Sequence, residues 1–588
     1  SLIYTPATLV SGQELPIHLG LPTRSVHGLA VIEHAEFGRN VPNASAEYAD
    51  EINLGKIYHM GKSEPAALIL NRQALTAHTF ITGSTGSGKS NTVYELLRQL
   101  DAGGVNFMVI EPAKGEYKNV FGDREDVHVF GTNPKITKLL HINPFRFPEE
   151  IHVLEHIDRL IEIFSVCWPM YAAMPAVLKN AMLQAYEVCG WNLETSENEY
   201  NKNLFPTFQD LLTELVDVIE HSAYDKEVKN NYRGSLETRV RSLANGLNGQ
   251  IFSADEIPEK QLFDENTIVD LSRVGSLESK SLIMGILIMR LNEYRMTSCT
   301  EMNNPLKHVT VLEEAHNILR RTSMEQTEEG SNVAGKSVEM IANAIAEMRT
   351  YGEGFVIADQ SPGAVDISAI RNTNTKIIMR LPDEQDRQLA GKAAALKDDQ
   401  LDEIARLPKG VAVIYQNNWT EPVLCKINKF EGEEKRYQYK TCATDRKAEM
   451  MSAILLRNLL KKEKGEPLDL NLRQLQDLLL KVSMPSKTKI AALKALQKNG
   501  RCRQKDIQSV VYKLVCTPKV EEELTHTESI EEWRDEIAYF GSTGLADLDE
   551  EMLNEVAELI LLEQIKRYDW PKTYLEQWQE FRKKEMLV

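Results

Sequence analysis

Short apolar runs alternate with stretches of helical periodicity through the middle of this chain. Between about residues 66 and 430, segments in which apolar residues recur every three or four positions separate runs that are typical of buried strands. This alternation predicts an α/β fold with a mostly parallel sheet that is covered by helices on both faces. The predicted strands are His78–Thr82, Asn106–Glu111, Val127–Phe130, Thr267–Leu271, Val309–Glu313, Gly354–Ala358, Lys376–Leu381 and Val411–Tyr415.

Two regions lack this alternation of strand and helix patterns, and they define the domain organisation. Residues 151–250 show almost only helical periodicity, which predicts a helical insertion in the α/β core. No strand pattern is found after residue 440, and we expect an all-helical C-terminal domain over residues 440–588. The core is assigned to residues 61–435, and residues 1–60 are expected to be an entry segment from a truncated N-terminal region. The polar stretch Met324–Lys336 is predicted to be a mobile loop.

A glycine-rich run follows the first predicted strand and precedes a helical pattern from Asn91 to Leu100. Its sequence, GSTGSGKS over residues 83–90, fits the phosphate-binding P-loop. The strand–loop–helix context disfavours the alternative of a glycine-rich turn without a ligand. Lys89 is predicted to contact the β- and γ-phosphates of ATP, and Ser90 to hold Mg²⁺. The predicted nucleotide-binding residues are Gly83, Thr85, Gly86, Ser87, Gly88, Lys89, Ser90 and Asn91.

Hydrolysis needs carboxylates beside the P-loop. The apolar run from Val309 to Leu312 leads into Glu313 and Glu314, the pattern of a Walker B strand. We predict that Glu313 binds Mg²⁺ and that Glu314 is the catalytic residue that polarises the attacking water. The alternative is an acidic pair at the start of a helix, where carboxylates are also favoured.

Three further polar residues lie near the ends of later predicted strands. Gln360 follows the strand Gly354–Ala358 and is predicted to sense the γ-phosphate. Arg349 and Arg380 are candidates for neutralising charge in the transition state. For either arginine the alternative is a surface ion pair of small energetic value.

Five motifs together resemble the HerA/FtsK branch of hexameric DNA-pumping ATPases. They are HTFITGSTGSGKSNT from His78, VIEPAKGEY from Val109, VLEEAHNIL from Val311, MRTYGEGFVIADQSP from Met348 and TKIIMRL from Thr375. They occur in the family's order over roughly residues 50–430, and conjugation and type IV secretion ATPases share much of the pattern. Glu313 stands where the family usually has Asp, and Ser361 replaces a common Arg.

The resemblance implies a RecA-like P-loop core and a ring, usually of six copies, with ATP at the subunit borders. Arg349 or Arg380 would then act on the neighbouring subunit's ATP. Duplex DNA would pass through the centre, and Arg320, Arg321 and Lys336 are candidate contacts. The resemblance further implies a partner nuclease or effector in DNA processing or antiphage defence. Two alternatives stay open: an ATP-dependent assembly scaffold that pumps no DNA, and a conjugation or secretion ATPase.

Composition limits these functions only in part. The formal net charge of −18 argues against a surface that coats nucleic acid, yet it is compatible with a local basic channel. The seven scattered cysteines favour a reducing, cytoplasmic environment, and no apolar run is long enough to span a membrane. Ten Lys and Arg residues and one acid lie between Lys481 and Lys519. A solvated helical face is favoured there over a phosphate-binding surface.

Overall fold

The computed structural model describes residues 25, 27, 34–41, 51–171, 173–322, 331–439, 447–516, 518–525, 527, 529–544, 548–568 and 573–585. Within them the centre of the fold is a twelve-stranded sheet of order β2-β1-β14-β13-β12-β3-β11-β10-β4-β9-β5-β6, and β7 and β8 form a separate hairpin. The strands are β1 Glu51–His59, β2 Lys62–Asn71, β3 Thr79–Thr82, β4 Asn106–Glu111, β5 Val127–Gly131, β6 Lys138–Leu139, β7 Trp191–Asn192, β8 Glu197–Asn198, β9 Asn266–Asp270, β10 His308–Glu313, β11 Glu353–Asp359, β12 Thr375–Ile378, β13 Val411–Gln416 and β14 Val423–Ile427.

The sheet has a parallel part and an antiparallel part. Strands β12, β3, β11, β10, β4, β9, β5 and β6 are parallel neighbours, whereas β13, β14, β1 and β2 continue the sheet in antiparallel pairs. The glycine-rich loop follows β3, and β3 lies between β12 and β11, with β10 next to β11. The carboxyl ends of β3, β10 and β11 therefore meet at one edge of the sheet, which is where ligands bind in such folds.

The eight predicted strands are present, but β9 ends one residue and β12 three residues earlier than predicted. β12 stops at Ile378, three residues before the predicted end at Leu381. The backbone beyond it leaves the strand ladder and pairs with the glycine-rich loop, since Ser84 N–H donates to Arg380 O. Met379 and Leu381 are buried all the same, which explains the overlong prediction.

The sequence pattern did not identify β1, β2 and β14 individually. β2 is an edge strand with an exposed first half and contains Pro65, and β1 contains an irregularity at Gly55. Such features weaken the alternation by which strands are recognised. Because β1 pairs with β2 and β14, the sheet includes residues 51–59, which the predicted core boundary at residue 61 leaves outside.

Helices cover both faces of the sheet. Along β4, Phe107 and Val109 pack into the apolar cluster that contains Leu96 on one face, whereas Met108 and Ile110 pack into the cluster that contains Phe164 on the other face. The helices up to residue 404 are α1 Lys89–Ala102, α2 Tyr117–Phe121, α3 Val153–Cys167, α4 Met174–Val188, α5 Phe208–His221, α6 Lys226–Tyr232, α7 Thr238–Ala244, α8 Gly246–Ile251, α9 Glu259–Phe263, α10 Leu277–Ser298, α11 Ser331–Glu347, α12 Ile367–Arg371, α13 Glu384–Ala393 and α14 Asp398–Ile404.

Residues 151–250 contain helices α3 to α8, as their periodicity predicts, and also the short β7–β8 hairpin. This helical layer packs tightly on the long helix α10. At Gly285 a Cβ would lie 2.7 Å from Ile163 Cγ2, so a larger residue would push α10 away from α3. The predicted loop Met324–Lys336 is helical from Ser331 onwards, where α11 begins, and residues 324–330 lie outside the described residues.

The C-terminal region is helical and has its own apolar core, to which Leu204 of the preceding region is added. Within the described residues, no helix of the chain is long and apolar enough to cross a membrane. The C-terminal helices are α15 Lys447–Lys464, α16 Leu472–Lys481, α17 Ser486–Gln497, α18 Gln504–Val515, α19 Pro518–Thr525, α20 Ile530–Gly544, α21 Glu550–Tyr568 and α22 Thr573–Glu585.

Several cations of the basic segment at residues 481–519 bind within the protein. Lys487 Nζ lies 3.2 Å from Glu214 Oε1, and Lys494 Nζ lies 4.8 Å from the centre of the Tyr200 ring, so both contact the helical layer on the core. Lys489 is buried and donates to Leu480 O. These cations therefore have structural contacts, whereas the sequence analysis favours a solvated helical face for the segment.

Candidate active site

The glycine-rich loop turns tightly between β3 and α1. Gly86 and Gly88 have φ values of 77° and 114°, which side-chain-bearing residues rarely adopt. A Cβ at Gly83 would lie 2.6 Å from Ser87 Oγ and 2.7 Å from Met379 Cβ. Met379 follows β12, so the loop has room only for glycine at this position. The loop is held further by Gly410 N–H, which donates to Ser87 O.

The backbone of this loop has the donors that a polyphosphate requires. Among the described residues, the N–H groups of Gly86, Gly88, Lys89 and Ser90 have no hydrogen-bond acceptor. The last two are at the beginning of α1, so the positive end of that helix adds to their effect. A triphosphate therefore fits the cradle by charge and by hydrogen bonding.

Lys89 connects the cradle to the two acids at the end of β10. Its Nζ lies 3.1 Å from Glu313 Oε2 and 3.5 Å from Glu314 Oε1. Burial opposes the charge on this lysine, but the two carboxylates outweigh burial and raise the pKa of Lys89 above its ordinary value. The ammonium group is thus a stable cation at the point where the phosphates and the acids would face each other.

Glu314 has a second partner at the end of the neighbouring strand. Gln360 Nε2 donates to Glu314 Oε1 at 2.8 Å, and Gln360 Oε1 accepts from Thr85 Oγ1 at 2.9 Å. Glu314 itself has φ 46°, an uncommon value for a residue with a side chain. The amide of Gln360 therefore joins the P-loop directly to the second acid.

Glu313 is held on its other side by a buried tyrosine. Tyr117 Oη donates to Glu313 Oε1 at 2.5 Å, while Glu313 Oε2 accepts from Lys89. Ser90, one residue after Lys89, has a half-buried hydroxyl with no hydrogen-bond partner within the described part of the chain. A hydroxyl and a carboxylate are hard oxygen ligands, so Ser90 and Glu313 fit the predicted Mg²⁺.

A histidine–aspartate pair lies beside Glu314. The Nδ1 of His316 and its backbone N–H both lie 2.9 Å from Asp359 Oδ2, and Nδ1 lies 3.7 Å from Glu314 Oε2. The hydrogen bond to buried Asp359 is the main cause of a raised pKa at His316. Facing atoms of these three side chains lie within 4.8 Å of one another.

Glu111, at the end of β4, supports the site from below. Its carboxyl group accepts from the backbone N–H groups of Glu116 and Tyr117 at 2.7 and 3.2 Å. Burial raises the pKa of Glu111 to about 8, although the two N–H donors oppose this rise. This carboxyl fixes the start of α2 and with it the backbone of Tyr117.

Two predicted site residues have side chains that lie away from the site. Asn91 Nδ2 donates to Asn428 O, and Asn91 Oδ1 accepts from Phe430 N–H, so the side chain ties α1 to the segment after β14. Arg349 is exposed and precedes β11. It is therefore separated from Gln360 by that strand's length of about 20 Å. It cannot reach the P-loop of its own chain.

Arg380 lies next to the P-loop through its backbone, because its carbonyl oxygen accepts from Ser84 N–H at 2.9 Å. Its half-buried side chain makes no hydrogen bond or ion pair among the described residues. It follows β12 and does not end it, which corrects the prediction that placed Arg380 within a strand.

Sequence reasoning assigned no role to Tyr117, His316 or Asp359. His316 and Asp359 lie within two residues of Glu314 and Gln360, which the sequence analysis did identify. Tyr117 is the last residue of the motif VIEPAKGEY. Their contacts join α2, the turn after β10 and the end of β11, and such contacts across strands leave no spacing signal in a single sequence.

A mostly parallel sheet with the P-loop after a central strand, and a lysine that faces two acids at the end of β10, define the core of a P-loop nucleoside triphosphatase. Residues 52–291 match the family model described as "Helicase HerA, central domain". A DNA double-strand break repair helicase HerA of Sulfurisphaera tokodaii is 24% identical over 386 residues, which cover 65% of this chain and 70% of the relative. The resemblance to the HerA/FtsK-type P-loop ATPases that the sequence motifs indicate is confirmed.

Two other similarities are found. A probable helicase of Methanocaldococcus jannaschii is 22% identical over 441 residues, which cover 68% of this chain and 77% of the relative. Among solved structures, VirB4 of Thermoanaerobacter pseudethanolicus has a TM-score of 0.47 and 17% identity, and the match covers 65% of this chain and 97% of VirB4.

Proposed function

We propose that this protein is an ATP-hydrolysing ring motor that moves duplex DNA. The observation that carries the proposal is the position of Lys89, which begins α1 at the P-loop and contacts both Glu313 and Glu314. This contact joins the phosphate-binding and the hydrolytic halves of the site. The curated relatives named as HerA repair helicases support DNA as the substrate of the movement.

The residues of the site divide the work of hydrolysis. The N–H groups of the loop and Lys89 bind the triphosphate, so that Lys89 turns from the acids toward the β- and γ-phosphates. The carboxylate of Glu314 is then free to accept a hydrogen bond from the attacking water and to take its proton. Gln360 keeps Glu314 in position and, through Thr85, responds to the loss of the γ-phosphate.

Mg²⁺, held by Ser90 and Glu313, would offset the negative charge of the phosphates. In a hexameric ring, Arg380 or Arg349 of one subunit would stabilise charge at the ATP of its neighbour. Arg349 suits this role in trans because it is exposed at the sheet edge opposite its own P-loop.

Three exposed cations could contact DNA phosphates. Arg320 and Arg321 follow the Walker B turn, and Lys336 lies in the first turns of α11. They are neighbours in space, since a Cβ at Gly335 would lie 2.8 Å from Thr322 Oγ1. Contacts to phosphates position a duplex without reading its sequence, as a motor requires.

A motor of this kind would serve a partner nuclease or effector protein in DNA processing or antiphage defence. We also infer a cytoplasmic location, which the cysteines support. The six within the described residues are unpaired, and Cys442 lies outside these residues.

Two measurements test the proposal together. The mass of the particle is measured with and without ATP, and ATP turnover is measured at low salt with and without duplex DNA. We expect a particle of about six chains and a turnover that DNA stimulates. A ring whose turnover ignores DNA and that binds none would instead support an ATP-dependent assembly scaffold.

A further inference from the structure

The proposed mechanism of hydrolysis gives no role to the side chain of Tyr117. Tyr117 begins α2 and is 2% exposed, and its hydroxyl donates to Glu313 Oε1 at 2.5 Å. The metal-side acid of this chain is therefore not held by Lys89 alone. The opposite oxygen, Oε2, is the one that contacts Lys89.

This division of the two oxygens has a consequence when the triphosphate binds. Lys89 leaves Oε2, whereas the hydrogen bond from Tyr117 to Oε1 can persist. The hydroxyl of Tyr117 is the donor of this bond, and its side chain is buried, so solvent does not compete for it. Oε2 is then the oxygen that faces the cradle, and the carboxylate cannot rotate freely.

The side chain of Glu313 is longer than that of an aspartate and has more need of such a restraint. A glutamate has one more rotatable bond than an aspartate, and ordering that bond costs conformational entropy. Tyr117 is itself fixed, because Glu111 accepts its backbone N–H and the ring packs edge-on against Tyr94 with centroids 5.0 Å apart. A rigid donor thus meets a flexible acid.

We infer that Tyr117 is a positioning residue that orients Glu313 for Mg²⁺ through the hydrogen bond to Oε1. The inference rests on the proposed ATPase function of the same site. Outer groups that orient a metal ligand typically affect metal affinity by about 10- to 100-fold. Tyr117 is expected to act in this range through Glu313, without contact with the metal or the nucleotide.

The test is Tyr117→Phe, which removes one hydroxyl and keeps the ring. The Mg²⁺ concentration that gives half-maximal binding of a fluorescent ADP is measured by titration, and the Mg²⁺ dependence of ATP turnover is measured beside it. We expect both midpoints to rise by about tenfold. Tyr94→Phe is the matched control, since its ring belongs to the same cluster, and its midpoints should equal those of the unmodified protein.

A second background tests whether the effect passes through Glu313. In Glu313→Asp the carboxylate is one methylene shorter and withdraws from Tyr117, so adding Tyr117→Phe should change the Mg²⁺ midpoint less than twofold. Unchanged midpoints in Tyr117→Phe alone would overturn the inference, as would an equal effect in both backgrounds. Failure of the proposed function is a separate result: the unmodified protein would then show Mg²⁺-dependent ADP binding but no DNA-stimulated turnover.

Discussion

Gln360 donates a hydrogen bond from Nε2 to Glu314 Oε1 at 2.8 Å, and these two residues directly follow neighbouring parallel strands. The same amide accepts from Thr85 in the P-loop. The state of the phosphate cradle is therefore linked by two hydrogen bonds to the acid that would activate water. Several expectations about the protein depend on this link and on the buried charges around it.

Gln360→Ala removes both hydrogen bonds and leaves the P-loop backbone intact. We expect ATP binding to stay within about threefold, because the main phosphate donors are unchanged, and turnover to fall by about 100-fold, since Glu314 is no longer positioned. Equilibrium binding of a fluorescent nucleotide and steady-state phosphate release measure the two effects. Gln504→Ala, at an exposed position of α18, is the control. Near-normal turnover in Gln360→Ala would exclude the positioning role.

Lys89→Met leaves the buried carboxylate of Glu313 and the half-buried carboxylate of Glu314 without their cation. We expect the free energy of unfolding without nucleotide to fall by about 3 kcal/mol at pH 8, because an uncompensated buried charge is costly. Urea titration measures this loss. Lys114→Met is the control, since Lys114 is exposed and lies 3.8 Å from its partner Glu116. Equal stability of the two variants would show that the contact between Lys89 and the acids is absent in solution.

The buried carboxyl of Glu111 predicts a specific pH dependence of stability. Its pKa is about 8 in the folded chain, above the ordinary value of 4.5, so the folded state binds the proton more tightly. This stabilisation is complete below about pH 4.5 and is lost as the pH rises toward 8. The free energy of unfolding should thus fall by at most about 1.4 kcal/mol per pH unit in this window.

Glu111→Gln has no titrating group at this position and should lack that component. The free energies of unfolding of both proteins are compared at pH 5.5 and pH 7.5. The unmodified protein should lose more stability than the variant between the two values. Parallel losses would mean that Glu111 is ionised in the folded protein at both pH values.

In the C-terminal region, buried Lys489 predicts a pH dependence of stability with the opposite sign. Burial lowers its pKa to about 8 from 10.5, because the charged form is desolvated. Below pH 8 Lys489 is protonated in both the folded and the unfolded state, and the folded state bears the full cost of burying the ammonium charge. This cost disappears as the pH rises toward 10.5. Lys489→Met should therefore stabilise the protein by roughly 1–3 kcal/mol at pH 7. The gain should be smaller at pH 9.5.

Thermal and urea unfolding at the two pH values measure this gain. Lys505→Met is the control, because Lys505 is an exposed lysine of the same region. A Lys489→Met variant that is less stable at pH 7 would show that the hydrogen bond to Leu480 O outweighs the cost of burying the ammonium group.

The sequence predicts the central part of this molecule well because its signals are local. Buried parallel strands are continuous apolar runs, and the P-loop needs glycines at fixed offsets, so Gly83–Ser90 and the acids after Val309 stand out in a single chain. The periodicity that predicts helices α15 to α22 is equally local.

Other features depend on contacts that the sequence does not display. β1 and β2 are irregular or exposed strands that pair only because β14 lies beside β1. Asn91 follows the P-loop directly, yet its amide binds Asn428 and Phe430, far away in sequence. Tyr117 meets Glu313 across 196 positions of the chain, so only the structure places its hydroxyl in the site.

The most direct test of the central claim is ATP turnover by Glu314→Gln in the presence of duplex DNA, measured together with nucleotide binding. The account predicts that the variant binds ATP as the unmodified protein does but hydrolyses it at least about 100-fold more slowly, because no carboxylate accepts the proton of the attacking water. Turnover that is preserved in Glu314→Gln would contradict the assignment of hydrolysis to this site.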